Sequence, residues 1–339
     1  MRKIKISSDR KYEVIVGANW PTEKSSIEAN HGKILYVLPE NLKDVLNLGE
    51  LKHRFFTPDA EEQKSTEVLL SLWDYCGEIG LKRNDAIVAI GGGATTDLGG
   101  FVAATWMRGI NWYSVPTSIA GAIDAAIGGK TGINSKYGKN LIGSFYSPSK
   151  VIIDLSFFKS LPERDFNAGM AEVIKCGFIA DSKILNLVES PRENLEEIIY
   201  RSVKVKAEVV SKDFKEGKLR EILNYGHTLG HAIERHSNYQ LRHGEAIAIG
   251  MCFVAELSTL VNGLDAKILE QHYRILGGLG LPTTYQLNVW PELLELMNLD
   301  KKVKNGKVRF VGLEELGKCN RIESASDQNL RSAYERICR

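Results

Sequence analysis

No C-x-x-C pair occurs in this sequence. Its five cysteines, Cys76, Cys176, Cys252, Cys319 and Cys338, are odd in number and widely spaced. That excludes a disulfide framework and a thiolate zinc site, and it fits reduced thiols in the cytoplasm. Charge of one sign is not in excess: 44 Lys and Arg against 42 Asp and Glu leave a formal net charge of +2. Neither nucleic acid nor an anionic membrane is therefore expected as a partner. Met1–Lys5 runs into Ile6, Ser7, Ser8, Asp9 and Arg10 rather than into an apolar run, so neither a signal peptide nor a membrane span is expected. The sequence also lacks the H-E-x-x-H of a zincin protease and the G-x-G-x-x-G fingerprint of a standard dinucleotide turn. Internal repeats and low-complexity segments are absent too.

What is present is globular. The chain has 339 residues, 43% of them hydrophobic and 25% charged, which makes two domains the natural prior. Ile4–Ile6, Tyr12–Val16, Gly32–Pro39, Leu51–Phe56, Ala86–Ile90, Trp112–Val115 and Val151–Leu155 read as strands. A helix near Asn41 and another over Glu61–Ile79 alternate with them. That alternation predicts an α/β domain with a mainly parallel sheet over residues 1–160. From Pro162 the pattern turns helical. Ala168–Gly177, Ile184–Val188, Leu195–Asp213, Leu219–Arg235, Gly244–Val261, Ala266–Leu276 and Pro291–Met297 read as helices, with Val308–Val311 as one late strand. Residues 161–339 are thus expected to form an all-α domain.

Three segments carry chemistry. Gly91-Gly92-Gly93 follows a buried strand and precedes a helix. Backbone N–H groups there can approach a phosphate, and the helix N-terminus adds favourable partial charge. The bland alternative is a tight turn that uses glycine for positive φ. The second segment runs from Val115 to Asn140. It places Asp124, Lys130 and Lys139 on Gly-rich backbone, which suits phosphate or carboxylate recognition. A solvated surface loop is the alternative, and the apolar Ile119–Ile127 run speaks against it.

In the third, Arg220, Asn224, His227 and His231 fall at i, i+4, i+7 and i+11 of the helix expected over Leu219–Arg235, hence on one face. His243 follows at the start of the next apolar helix. Two histidines one turn apart with a third nearby suit a divalent metal, although capping and packing would also explain them. Glu172 and Lys175, at i and i+3 in an almost wholly apolar helix, are costly to bury unless paired or liganded. Glu172 with His227 and His243 would supply an N,N,O set with an open position.

These segments resemble the 3-dehydroquinate synthase family of the sugar-phosphate cyclase superfamily. The resemblance runs from about Pro58 to Lys302, through Pro58–Lys64, Gly91–Gly93, Gly128–Gly132, Ala171–Lys175, Lys206–Glu208, Asn224–His231 and His243–Glu245. It implies a Rossmann-like, NAD-binding α/β domain, a helical C-terminal domain, and a homodimer with the site in the cleft. Carried over by motif, Glu172, His227 and His243 would ligate Zn2+ or Co2+, with His231 beside the metal. Asp124, Lys130, Lys175, Lys206, Arg220, Asn224, Arg108 and Asn140 match positions that hold substrate. Arg108 would serve the neighbouring subunit, and Lys301 or Lys302 matches a late substrate lysine. Glu61, Lys64, Gly92, Gly93, Asp97, Thr117, Ser118 and Lys139 match the NAD positions.

Two departures stand out. Pro39 occupies a place where the family commonly has an Asp, with Glu40 next to it, and Ala125 and Ala126 stand where two serines are common. The implied substrate is 3-deoxy-D-arabino-heptulosonate 7-phosphate, a small sugar acid phosphate, and the implied reaction is redox-neutral with phosphate elimination. Another sugar-phosphate cyclase, a metal-dependent polyol or alcohol dehydrogenase of related fold, and a cyclase-like binder without chemistry are the competing readings.

Overall fold

The computed structural model describes residues 1–215, 217–302, 308–323 and 325–338, with the side chains of 300–302 left outside that description. The strands are β1 (Arg2–Ser7), β2 (Lys11–Val16), β3 (Ile34–Pro39), β4 (His53–Thr57), β5 (Ala86–Gly91), β6 (Asn111–Pro116), β7 (Lys130–Ser135), β8 (Gly138–Phe145), β9 (Lys150–Ile153), β10 (Phe310–Glu315) and β11 (Lys318–Ile322). The α-helices are α1 (Trp20–Asn30), α2 (Thr66–Glu78), α3 (Gly93–Thr105), α4 (Glu163–Ile179), α5 (Lys183–Leu187), α6 (Leu195–Lys212), α7 (His227–His236), α8 (His243–Asn262), α9 (Ala266–Gly278), α10 (Trp290–Lys302) and α11 (Asp327–Arg336).

The chain divides into two compact units. Met1–Pro162 and Leu195–Lys215 form the first, and Glu163–Asn194 with Glu216–Arg339 form the second. The first holds a seven-stranded sheet in the order β1-β2-β9-β6-β5-β3-β4. β1 pairs antiparallel with β2, and the other neighbours are parallel. Strand β3 shows why this sheet needs cover on both faces. Leu35 and Val37 pack with Leu69, Leu72 and Trp112 on one side. Ile34, Tyr36 and Leu38 pack with Trp20, Ile27 and Phe157 on the other. A strand buried on both sides reads as a continuous apolar run, and β3 and β5 do. Helix α6, far along the chain, packs on β1 and on the π-helical turn Gly121–Ala125.

The second unit is mainly helical, with α8 packed against α4, α7, α9 and α11. α8 is long and apolar enough to cross a membrane, but 83% of its apolar window is buried inside the protein, so it serves as a core helix. A small antiparallel hairpin, β10–β11, also belongs to this unit, so it is not all-α.

Local structure departs from expectation in three further places. The helix expected over Leu219–Arg235 is broken. Leu219–Asn224 is a 3-10 turn, Gly226 sits at φ +78°, and α7 begins at His227. Gly226 cannot be anything larger, because an added Cβ would lie 2.7 Å from Met251 Cγ and 2.9 Å from Met251 N. Arg220 and Asn224 therefore do not share one helical face with His227 and His231. The Gly-rich stretch after Gly129 is not an irregular loop but the hairpin β7–β8. Glu61–Ile79 splits into a 3-10 turn, Ala60–Gln63, and α2, which Ser65 caps.

Candidate active site: a buried carboxylate among histidines

In the second unit, α4 is buried over nearly its whole length and carries Glu172 with its side chain only 2% exposed. His227 and His243 are each the first residue of a helix. Gly244 lets α8 come against the backbone of α4. A Cβ there would sit 1.7 Å from the carbonyl oxygen of Ala168, one turn before Glu172. The result is a cluster in which one ligand atom each from Glu172, His227 and His243 lies within 4.8 Å of the others. Glu172 Oε1 is 3.4 Å from His227 Nε2 and 3.4 Å from His243 Nε2.

Hydrogen bonds orient both rings. His227 Nδ1 donates to the carbonyl of Tyr225 at 3.0 Å, which turns Nε2 toward Glu172. His243 Nδ1 donates to Glu234 Oε2 at 3.1 Å, with the same consequence. Such outer partners are what metal-ligating imidazoles use to fix tautomer and direction. Lys175 binds Glu172 Oε2, whereas Oε1 is buried and makes no hydrogen bond among the described residues. A buried carboxylate oxygen without a partner is expensive. Here two imidazole nitrogens face it, so a divalent cation fits the donor set.

The electrostatics agree. Burial pushes the Glu172 carboxyl up, but Lys175 and His243 outweigh it and hold the group well below its ordinary range. Burial and then Lys175 drive His227 well below its usual value, so the ring stays neutral. For His243, burial acts downward, but Glu172 and Glu234 raise it to about 10. A divalent ion held at His243 would take the place of that proton.

His231 lies beside this set, with its ring centroid 5.3 Å from His227 and 5.9 Å from His243. It groups with Glu234 and His243 rather than with Glu172. Arg220 is buried and Asn224 is exposed, both in the 3-10 turn before Gly226. Lys301 and Lys302 end α10, and their side chains lie outside the described residues.

In the first unit, β3 and β5 are adjacent, β4 lies beyond β3, and β6 lies beyond β5. The direction of winding therefore reverses between β3 and β5, and open α/β sheets bind ligands at the strand ends of such a switch point. Gly91 ends β5, Gly92 caps α3, and Gly93 opens that helix, which has no acidic residue in its first turn. None of the three needs positive φ. Gly91 is required by a close approach instead, since a Cβ would fall 2.3 Å from Thr95 Oγ1. Thr117 N donates to Gly91 O at 2.9 Å, and Ser118 Oγ accepts from Gly121 N at 3.1 Å, so both residues sit at the same strand ends.

Beside them, buried Lys64 donates to Asp97 at 2.8 Å and to Asn140 Oδ1, with Glu61 3.5 Å away. Burial raises Asp97 to about 6 although Lys64 opposes this. Asn134, which no sequence signal marked, donates to Glu61 and accepts from the backbone N–H of Asn140. Lys206 on α6 is paired with Asp124 through both the backbone and the side-chain oxygen. Lys130 is exposed at the start of β7, and Lys139 is exposed on β8. Arg108 is exposed at φ +65°, next to Met107 at φ +49°. Two consecutive non-glycine residues in that region store strain of a kind that concentrates at functional sites.

Glu234 is the other residue that sequence reasoning missed. Its signal was available, because it lies seven residues after His227 and therefore on the same face of α7.

Comparison with known proteins bears on this geometry. Residues 54–168 match the family model described as 3-dehydroquinate synthase N-terminal, and residues 169–303 match 3-dehydroquinate synthase C-terminal. The chain is 50% identical to the 3-dehydroquinate synthase of Nocardia farcinica over 305 residues, covering 88% of this chain and 82% of that protein. It is 45% identical to the same enzyme of Mycolicibacterium vanbaalenii over 352 residues, 99% of this chain and 98% of that one. Among solved structures it is similar to a 2-deoxy-scyllo-inosose synthase complexed with carbaglucose-6-phosphate, NAD+ and Co2+. The TM-score there is 0.84 at 26% identity, over 99% of both chains.

Proposed function

The chain belongs to the 3-dehydroquinate synthase family, and we propose that it converts 3-deoxy-D-arabino-heptulosonate 7-phosphate to 3-dehydroquinate and phosphate. The observation that carries the reading within this chain is the orphaned Glu172 Oε1 facing two oriented imidazoles. It answers the need of such chemistry for a Lewis acid at a hydroxyl that becomes a ketone. By class the enzyme is a carbon–oxygen lyase acting on a phosphate.

Oxidation at C5 acidifies the C6 proton, phosphate leaves by elimination, C5 is reduced again, and ring opening with an intramolecular aldol closes the carbocycle. NAD+ when bound supplies the hydride acceptor, and in reduced form the donor that returns the hydride. A divalent ion, Zn2+ or Co2+, when bound supplies polarisation of the C5 oxygen.

The chain's own residues orient and neutralise. Glu172, His227 and His243 would hold the ion, and Lys175 keeps Glu172 ionised and fixed through Oε2. Lys130 and Lys206 would bind the phosphate, with Asp124 giving up Lys206 to it. The leaving phosphate can take the C6 proton itself, so no protein base is required. Lys175, Arg220, Asn224 and His231 would meet the rest of the substrate, joined by Asn140 and by Lys301 or Lys302. Gly92, Gly93, Asp97, Thr117, Ser118, Glu61, Lys64 and Lys139 would hold NAD at the β5 and β6 strand ends. Arg108 is assigned to the neighbouring subunit of a homodimer, and the enzyme to the cytoplasm.

The test follows phosphate release and reduced nicotinamide in one cuvette, with NAD+ well below substrate. Phosphate should appear in proportion to substrate consumed, without accumulation of NADH. Stoichiometric NADH without phosphate would overturn the reading in favour of a metal-dependent dehydrogenase.

A further inference from the structure

We propose that His272 is a positioning residue that fixes Glu172 and His227 relative to each other. The inference rests on the reading of Glu172, His227 and His243 as a metal site. His272 lies on α9 and is 0% exposed. Its ring is stacked on Phe178, centroid to centroid 3.5 Å with the planes 8° apart. Phe178 stands on α4, six residues beyond Glu172. On its other side His272 meets Tyr225. The hydroxyl of Tyr225 and His272 Nε2 are 2.8 Å apart. His272 Nδ1 is 2.7 Å from the carbonyl of Ile268. A carbonyl oxygen only accepts, so Nδ1 carries the proton and Nε2 accepts from Tyr225. The Tyr225 carbonyl in turn accepts from His227 Nδ1 at 3.0 Å. One buried ring therefore contacts the helix that carries one ligand and the residue that orients the other.

A leucine or phenylalanine would fill such a place at lower cost, since burying an imidazole requires both nitrogens to be satisfied. What the imidazole adds over an apolar side chain is a directed bond that holds Tyr225. Tyr225 stands where the chain changes course, since the next residue is the left-handed Gly226, φ +78°, between the 3-10 turn and α7. Burial lowers His272 to about 4, so it remains a neutral acceptor for Tyr225 at ordinary pH. Loss of a direct outer partner of a ligand, here the Tyr225 carbonyl, shifts metal affinity about 10–100-fold, and a residue one step further out acts through it.

The experiment measures Co2+ binding to the full chain, stripped of metal and titrated against a chelating dye, alongside thermal unfolding of the stripped protein. His272→Leu and Tyr225→Phe are each expected to raise the Co2+ dissociation constant by up to roughly tenfold and to alter the visible Co2+ spectrum. His272→Gln, which keeps an acceptor for Tyr225, should lose less than His272→Leu. A purely structural role would lower the unfolding temperature and leave the dissociation constant and spectrum unchanged, and that result would overturn the inference. Should His272→Leu not fold, Tyr225→Phe decides, because it removes a single oxygen. Wild-type protein that binds no Co2+, or a His227→Ala variant that binds it as well as wild type, would overturn the metal reading itself. Tight wild-type binding with unaltered variants would overturn the positioning role alone.

Discussion

The two units prepare their sites in opposite ways. In the sheet unit the two buried lysines assigned to ligands already have carboxylates, Lys64 with Asp97 and Lys206 with Asp124. In the helical unit a carboxylate oxygen is buried without a hydrogen bond while two imidazole nitrogens face it. An anion entering the first must displace a resident carboxylate, whereas a cation entering the second meets side chains already aimed and displaces only the proton on His243. The difference follows from the ligands. Anionic substrates come and go, so their cations are kept paired in the interval. A resident cation needs ligands that are in place beforehand.

The largest effect that tests this contrast comes from His227→Ala. Removing one of three ligands should abolish stoichiometric Co2+ or Zn2+ binding and lower activity about a thousandfold or more, since Lewis-acid stabilisation is worth several kcal/mol. His231→Ala should keep the metal and lose mainly rate. Metal analysis on both variants checks this, and a loaded His227→Ala beside a stripped His231→Ala would reverse the roles of the two histidines.

Next in size is an acid effect confined to the helical unit. His272 titrates near 4 when folded, against an ordinary value of 6.5, because burial disfavours its charged form. The unfolded chain therefore takes up a proton that the folded one refuses. This stability is fully present above pH 6.5, is lost as the pH falls, and levels off below about 4. The loss amounts to ~3 kcal/mol. Unfolding temperature measured from pH 7 to 4 should fall less steeply in His272→Gln than in wild type. Parallel curves would show that His272 does not carry the effect.

How much of this was legible in the residues differs between the units too. β3 and β5 announced themselves as apolar runs, and the glycines after β5 marked its end. The assignment of α6 did not follow from its sequence. Its apolar face is equally consistent with either unit, and only packing on β1 shows where it belongs. The break at Gly226 was hidden for a related reason. Arg220 to His231 keeps helical spacing throughout; the left-handed Gly226 breaks it, and what requires glycine there is contact with Met251, some 25 residues later. The cluster of Glu172, His227 and His243 was readable as a residue set, and Glu234 by its spacing from His227, but the orphaned oxygen depends on distances between helices, which no local pattern encodes.

A sharper test of the paired-lysine side uses both members of one pair. Lys206→Ala should weaken a substrate-like phosphonate by about 1.5–3 kcal/mol, roughly ten- to a hundredfold, because a charge-assisted bond is lost. NAD affinity should stay within a factor of two or so. Asp124→Asn should act the other way on inorganic phosphate, which makes no use of Asp124, and tighten it several-fold by removing the competing carboxylate. Calorimetric titration of both variants decides. If Asp124→Asn weakens inorganic phosphate, the pair does not compete with the anion and the contrast between the units fails at this point.

The smallest expected effect concerns the end of β3, where Pro39 offers no side-chain acceptor and Glu40 follows in an exposed 3-10 turn. Glu40 is 3.6 Å from Lys43, an exposed pair of the kind that contributes little to stability. Its carboxylate is thus available to a ribose hydroxyl at the switch point between β3 and β5 without disturbing the fold. Glu40→Gln retains an acceptor but loses the charge, so NAD+ should bind about two- to fivefold more weakly, on the order of the difference between a charged and a neutral hydrogen bond. Glu40→Ala should be weaker again, with the unfolding temperature of both variants unchanged. Fluorescence titration with NADH measures it. Equal affinities across wild type and both variants would mean that the ribose is held without a carboxylate at this strand end, leaving the turn at Gly92 and Gly93 with the neighbouring Asp97 to carry recognition of the dinucleotide.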